Sequence, residues 1–246
     1  MYVYIQTRKM PLRLRAELWE ITMTKEQIKQ NYFKLLDKIK ELDKENKVTL
    51  LIATKTQSTE DINYLISLGA NVIGENRVNE VREKYEYLDK SASLHFIGTL
   101  QKNKVKYIYD KVDLIHSVDS LSLAEEINKH CAKIGKVMDI LVEVNSGREE
   151  AKGGIMPEDV DKFVASLSAY PNIRVRGLMT MAPRCESKDE YLKYFSLTKE
   201  IFDRLFKNES DAILSMGMSE SYEYAIEAGA NMVRVGSAVF GERKYI

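Results

Sequence analysis

The strongest constraint in this sequence is a repeating order of elements: a short β-rich apolar run, a turn, then an amphipathic helix. The β-rich runs fall at Val48 to Ala53, Val72-Ile73, Leu94 to Ile97, Leu114-Ile115, Met138 to Val144, Val175 to Met179, Ile213-Leu214 and Met232 to Val235. Helices are predicted between them: near Thr59, from Asn76, from Lys102, over Leu121 to Ile134, from Pro157, over Glu190 to Phe206 and from Ser219. One more helix precedes the first strand. Thr24 is placed as its N-cap, and apolar residues recur at Ile28, Tyr32, Leu35, Leu36 and Ile39. Eight strands alternating with helices predict an α/β fold, a closed (β/α)8 barrel with an extra N-terminal helix. A doubly wound open sheet has the same spacing, and the count of eight favours the barrel. Runs such as Ile140-Leu141-Val142 suit strands covered on both faces. The 246 residues match the roughly 250 that such a barrel needs.

Charge narrows the function. Lys+Arg and Asp+Glu number 37 each, so there is no basic excess of the kind a nucleic-acid binder carries. No run approaches the roughly 20 apolar residues of a membrane span. Two cysteines, Cys131 and Cys185, form neither a disulfide framework nor a four-cysteine zinc site. A reduced, cytoplasmic setting is expected. His130-Cys131 reads as structural rather than as a metal site. Residues 1–22 stand apart, with Arg8, Lys9, Arg13 and Arg15 and no apolar core run, so they are not a secretory signal. They read as a poorly ordered upstream extension, with one barrel domain from Met23 to Ile246.

In a barrel, active-site residues come from the C-terminal strand ends. Lys55 ends the first apolar run. Held partly away from water, its ammonium would be destabilised, and a neutral amine is what a Schiff base requires. On position alone, a solvated lysine just past a strand is the simpler reading. The last two strands add weight. Barrels often build a phosphate site after strands 7 and 8 from backbone N–H groups and a helix N-terminus. Strand 7 leads into Ser215-Met216-Gly217-Met218-Ser219, and strand 8 into Gly236-Ser237. Gly236 lets a backbone approach a ligand closely. Arg234 offers a fixed cation to a ring nitrogen or an anion; an ion pair with Glu75 or Glu220 is an equal alternative. Amine, phosphate cup and cation together suit a ligand with an aldehyde, a phosphate and a ring nitrogen. Pyridoxal 5′-phosphate (PLP) is such a ligand.

Specific segments then carry a family resemblance. They are Leu51-Ile52-Ala53-Thr54-Lys55-Thr56, Gly74-Glu75-Asn76, His95 through Lys104, Glu149-Glu150-Ala151-Lys152-Gly153-Gly154, Gly177-Leu178-Met179-Thr180, Leu214 through Ser219, and Val233 through Arg243. From Met23 onward the chain resembles the pyridoxal phosphate homeostasis proteins, single-domain relatives of the barrel half of bacterial alanine racemase. The resemblance implies a TIM barrel of the alanine racemase N-terminal type. It implies that Lys55 carries PLP as a Schiff base and that Asn76 lies near the ring. It places the phosphate at the Ser215 and Gly236-Ser237 turns, and Arg234 against the pyridine nitrogen. The expected cofactor-binding set is Lys55, Asn76, Met179, Ser215, Met216, Arg234, Gly236 and Ser237, with no catalytic residue and no metal. The chain departs from the family's usual residues at Thr54, Thr99 and Gly147-Arg148.

The resemblance also implies buffering and delivery of PLP with little or no turnover, PLP-dependent apoenzymes as recipients, and a monomer. The alternative is a fold-type III amino-acid racemase. Racemisation through two bases needs one on each face of the substrate carbon. Lys55 supplies one, and Tyr222 and Tyr224 read as packing or surface residues. Alanine racemases draw the tyrosine base from a β-domain after the barrel, and strand 8 here leaves no room for one before Ile246. A class I aldolase is disfavoured by the ring-facing Arg234 and the motif set.

Overall fold

The computed structural model describes residues 23–45, 47–149 and 151–241; the N-terminal extension of residues 1–22 lies outside them. Helix α1 spans Lys25–Leu42, and Thr24 caps it. The Thr24 hydroxyl accepts the Gln27 amide, and the Gln27 side chain accepts the Thr24 amide in return. Ile28, Tyr32, Leu35 and Ile39 form its buried face.

Eight strands follow: β1 (Thr49–Ala53), β2 (Val72–Glu75), β3 (Ser93–Phe96), β4 (Leu114–Val118), β5 (Met138–Val144), β6 (Ile173–Thr180), β7 (Ile213–Ser215) and β8 (Met232–Val235). Each pairs in parallel with the next, and β8 pairs with β1, setting Arg234 opposite Leu51. That last pairing closes the barrel and excludes the open sheet. The helices between are α2 (Thr59–Ser67), α3 (Val78–Lys84), α4 (Leu121–Ala132), α5 (Val160–Ser166), α6 (Lys188–Phe206) and α7 (Tyr222–Glu227), with a short α8 (Ser237–Phe240) after β8.

The helix expected from Lys102 is instead a 3-10 segment over Lys102–Tyr107. Val105 is its one buried residue, so it has no apolar stripe to hold a longer helix down. Pro157 likewise opens a 3-10 turn, Pro157–Asp159, ahead of α5. The cap of α2 is Ser58 rather than Thr59, accepting the Asp61 amide at 3.1 Å.

Helix α1 is less an appendage than a member of the outer ring. It packs against α2, α7 and α8. Asn31 Nδ2 donates to the Val239 carbonyl at 3.1 Å, and Lys38 pairs with Glu223 of α7 at 3.5 Å. It takes the helical place that the four-residue α8 leaves open.

The strands alternate between two cores. Ile52, Ile73, Phe96, Ile115, Ile140, Val142, Leu214 and Val233 belong to the large apolar layer between sheet and helices. The intervening residues point into the barrel. Leu51, Ala53, Ile97 and Met232 form one small interior cluster, and Leu114, Leu141 and Met179 another. The rest of the buried interior is polar: His95, His116, Glu143, Ser215 and Arg234. Polar groups in such a place are costly unless paired, so they direct attention to the barrel mouth above them.

Candidate functional site

A cavity of about 670 Å³ opens at the C-terminal ends of the strands, within the size range of small-molecule sites. Lys55, Asn76, Arg234, Gly236 and Ser237 line it, together with Lys152, Met181, Arg184, Tyr191, Met218, Ser219 and Glu220. Four basic side chains, Lys55, Lys152, Arg184 and Arg234, face one carboxylate, Glu220, among the described lining residues. That imbalance favours an anionic occupant.

Lys55 projects from the first turn beyond β1. The sheet runs just past the strand, since the Thr54 amide still donates to the Gly74 carbonyl at 2.9 Å. Asn76 follows β2 directly, and its Oδ1 is buried without a hydrogen-bond partner among the described residues. Gly98 explains how Asn76 reaches this place. A Cβ on Gly98 would lie 2.1 Å from the Asn76 carbonyl oxygen, so any larger residue would displace Asn76 from the cavity wall.

Next to the end of β1, on the β8 side of the mouth, Gly236 and Ser237 begin α8, where first-turn amides have no intrahelical partner. The Gly236 amide donates to Ser219 Oγ at 3.3 Å, which ties the β8 turn to the β7 turn. The β7 turn is itself held by Ser221 Oγ, which accepts the Met218 amide at 3.2 Å.

Arg234, on β8 and in register with Leu51 of β1, is only 4% exposed. Its Nη1 donates to Ser215 Oγ at 2.6 Å and its Nη2 to the Thr180 carbonyl at 2.9 Å. A guanidinium has five N–H donors, so several remain free to meet a ligand. Burial pushes its pKa down to about 10, with Glu143 acting the other way, so it stays cationic at neutral pH. It makes no ion pair with Glu75, which is held by Lys84, or with Glu220.

Below Arg234 a polar chain crosses the barrel. Ser215 Oγ meets His116 Nδ1 at 3.2 Å, and His116 Nε2 meets His95 Nδ1 at 3.0 Å. Burial keeps both imidazoles neutral. His95 is pushed down to about 4, and His116 falls well below its ordinary value, with His95 and Arg234 adding to the effect. Neutral rings can alternate donor and acceptor along the chain, so each buried nitrogen in it finds a partner. Glu143 is pushed up to about 7, first by burial and then by Asp119, against the pull of Arg234.

Of the residues read from sequence, five line the cavity and three do not. Ser215 is fully buried and touches Arg234 rather than the cavity. Met216 faces the helices in the large apolar core, and Met179 packs against Leu114 and Leu141 inside the barrel. Tyr222 and Tyr224 are not among the lining residues; Tyr224 packs its ring 5.9 Å from that of Tyr191, which is. Sequence reasoning did not place Lys152, Met181, Arg184 or Tyr191 at the cavity. They come from the segments after β5 and β6, whose reach over the mouth leaves no periodic signal.

The profile described as "Alanine racemase, N-terminal domain" matches residues 26–244. A protein of Aquifex aeolicus (strain VF5) called pyridoxal phosphate homeostasis protein is 47% identical over 204 residues, covering 82% of this chain and 90% of that one. A protein of the same name from Helicobacter pylori (strain ATCC 700392 / 26695) is 36% identical over 198 residues, covering 79% and 88%. Among solved structures, PipY of Synechococcus elongatus PCC7942 with PLP bound superposes with a TM-score of 0.77 at 28% identity, covering 87% of this chain and 100% of that one. The closed barrel, the mouth cavity and these relatives agree: the chain belongs to the alanine racemase N-terminal domain family and, within it, to the pyridoxal phosphate homeostasis proteins.

Proposed function

We propose that this protein binds PLP in the barrel-mouth cavity and buffers and delivers it, with little or no turnover. The observation that carries the reading is the cavity itself. It gathers an amine, Lys55, the glycine- and serine-bearing turns after β7 and β8, and the buried cation Arg234 around one space. The residues fit the group. Asn76 Oδ1 is an orphaned polar atom on the wall, and the excess of basic side chains suits a phosphate. PLP supplies an aldehyde that condenses with a primary amine and an aromatic ring that can draw electrons from a bound substrate.

The chain's own residues hold and restrain that group. Lys55 provides the amine. The amide of Ser237 and the hydroxyls of Ser219 and Ser237 supply phosphate donors, with the Gly236 amide holding Ser219 in place. Asn76 offers its amide to the ring edge. Arg234, fixed by Ser215 and the Thr180 carbonyl, presents its remaining N–H groups to the ring nitrogen. A cation there opposes protonation of that nitrogen and weakens the ring as an electron sink. Low turnover follows, and neither Tyr222 nor Tyr224, the tyrosines weighed from sequence as a second base, is on the cavity wall. In this reading the protein is a cytoplasmic monomer whose recipients are PLP-dependent apoenzymes. Among the described residues no helix is long and apolar enough to cross a membrane.

Titration with PLP under a visible spectrophotometer tests the reading. A yellow, saturable complex is expected, and chiral analysis of incubated L- and D-alanine should show no more than slow background. A protein that stays colourless with excess PLP, or racemisation at several turnovers per second, would overturn it.

A further inference from the structure

Lys55 sits between two peptides that are both gripped by one buried ion cluster. Lys84, at the end of α3, uses all three of its ammonium donors: to the Thr54 carbonyl at 3.0 Å, to Glu75 Oε1 at 2.9 Å and to Glu80 Oε2 at 2.8 Å. Glu80 Oε2 also accepts the Thr56 amide at 2.6 Å, and Thr54 Oγ1 donates to Glu75 Oε1 at 2.7 Å. The residue before Lys55 is therefore held through its carbonyl and hydroxyl, and the residue after it through its amide. Thr56 takes a φ of 68°, in the left-handed region that a β-branched residue rarely enters. Its bond to Glu80 holds the chain in that turn. The side chains of Lys84, Glu75 and Glu80 are 12%, 0% and 14% exposed. Burying an ion cluster is expensive, and apolar packing would serve stability as well or better. Yet none of the three lines the cavity.

We infer that Lys84, with Glu75 and Glu80, is a positioning residue that fixes the backbone of Lys55, so that the lysine amine meets a bound aldehyde at the attack geometry. The inference rests on the PLP reading above and deepens it. In the step concerned, the Lys55 nitrogen adds to the aldehyde carbon, one water leaves and a C=N bond forms. Such additions need the reacting atoms about 3–3.5 Å apart, and a displacement of about 1 Å costs up to about a hundredfold in rate. A cluster that acts only through Lys55 should matter for this bond and not for the contacts to ring and phosphate.

Two ligands separate those effects. PLP uses the whole site, whereas pyridoxine 5′-phosphate has an alcohol in place of the aldehyde and cannot form the bond. Lys84→Met keeps the apolar stem and removes the three donors. The expected result is a ten- to hundredfold slower appearance of borohydride-trappable PLP, with pyridoxine 5′-phosphate affinity within twofold of wild type. Lys84→Arg should recover part of the rate. If Lys84→Met does not fold, Glu80→Ala, which frees the Thr56 amide at the edge of the cluster, should show the same split. Equal weakening toward both ligands, or no change toward either, would overturn the inference. If wild type traps no PLP at Lys55, the PLP reading itself fails, an outcome distinct from any behaviour of the Lys84 variants.

Discussion

Replacing Gly236 separates shape from charge at the proposed phosphate turn. A Cβ at this position would lie 3.0 Å from the Ala53 carbonyl oxygen and 3.3 Å from Ala53 Cβ. Contacts this close need a shift of a few tenths of an ångström in the end of β1. Gly236 has φ −128°, outside the left-handed region that favours glycine. Gly236→Ala should therefore cost about 1 kcal/mol of stability, the lower end of overpacking. Gly236→Asn and Gly236→Asp add the same bulk and differ in charge. A carboxylate about 6 Å from a phosphate carrying about 1.5 negative charges is opposed by about 2 kcal/mol at an effective dielectric near 40. That is roughly a thirtyfold loss of affinity. Fluorescence or absorbance titration of PLP against the three variants, with circular dichroism to confirm folding, reads the ratio directly. Asp should bind roughly thirtyfold more weakly than Asn, and the gap should shrink with added salt. Folded Asn and Asp variants of equal affinity would refute the placement of phosphate at this turn.

Glu143 makes a pH prediction. Its pKa is raised from 4.5 to about 7 by burial, so the fold prefers its protonated form and the group's contribution to stability is lost as pH rises between those values. Glu143→Gln should abolish a loss of about 2–3 kcal/mol between about pH 5 and pH 8, measured by urea unfolding across that range; parallel curves for wild type and variant would contradict it. His95 works in the opposite sense: its depressed pKa withdraws stability as pH falls from 6.5 toward about 4, so His95→Gln should protect the acid side of the curve. Ser215→Ala leaves His116 Nδ1 and one Arg234 N–H without their partner in a fully buried place. It should cost about 2 kcal/mol of stability and loosen Arg234, with a smaller loss of PLP affinity than Arg234→Met, checked by unfolding and titration side by side.

Much of the fold was legible in the sequence because a parallel barrel advertises itself twice. Its strands are continuous apolar runs, and its helices return at a regular spacing. All eight strands lie where the runs predicted them, and β5 and β8 keep the predicted bounds. The repeating order of strand and helix predicts a helix at the 3-10 segment Lys102–Tyr107, and only its missing apolar face argues otherwise. That α1 fills the ring position after β8 is a matter of closure, and no local pattern carries it.

The site was legible where chemistry and strand ends coincide, as at Lys55, Asn76, Arg234 and Gly236-Ser237. It was less so where strand alternation decides which way a side chain turns. Ser215 and Arg234 both point inward and meet, which puts Ser215 under the arginine instead of in the cavity. Met216, one residue on, points to the helices. The Lys84 cluster left one trace, the i,i+4 spacing of Glu80 and Lys84, which usually marks a solvated helix pair. Only the approach of α3 to the end of β1 gives it a role beside Lys55.

The central claim is that Lys55 is the residue that takes the aldehyde. Two lysines, Lys55 and Lys152, share the cavity wall, so the claim is open to a direct decision. Saturating the protein with PLP, reducing with borohydride and mapping the modified peptide by mass spectrometry identifies the bonded residue. Stoichiometric label is expected on the peptide containing Lys55, with its loss in Lys55→Ala. Label on Lys152, or scattered over surface lysines with Lys55 unmodified, would contradict it.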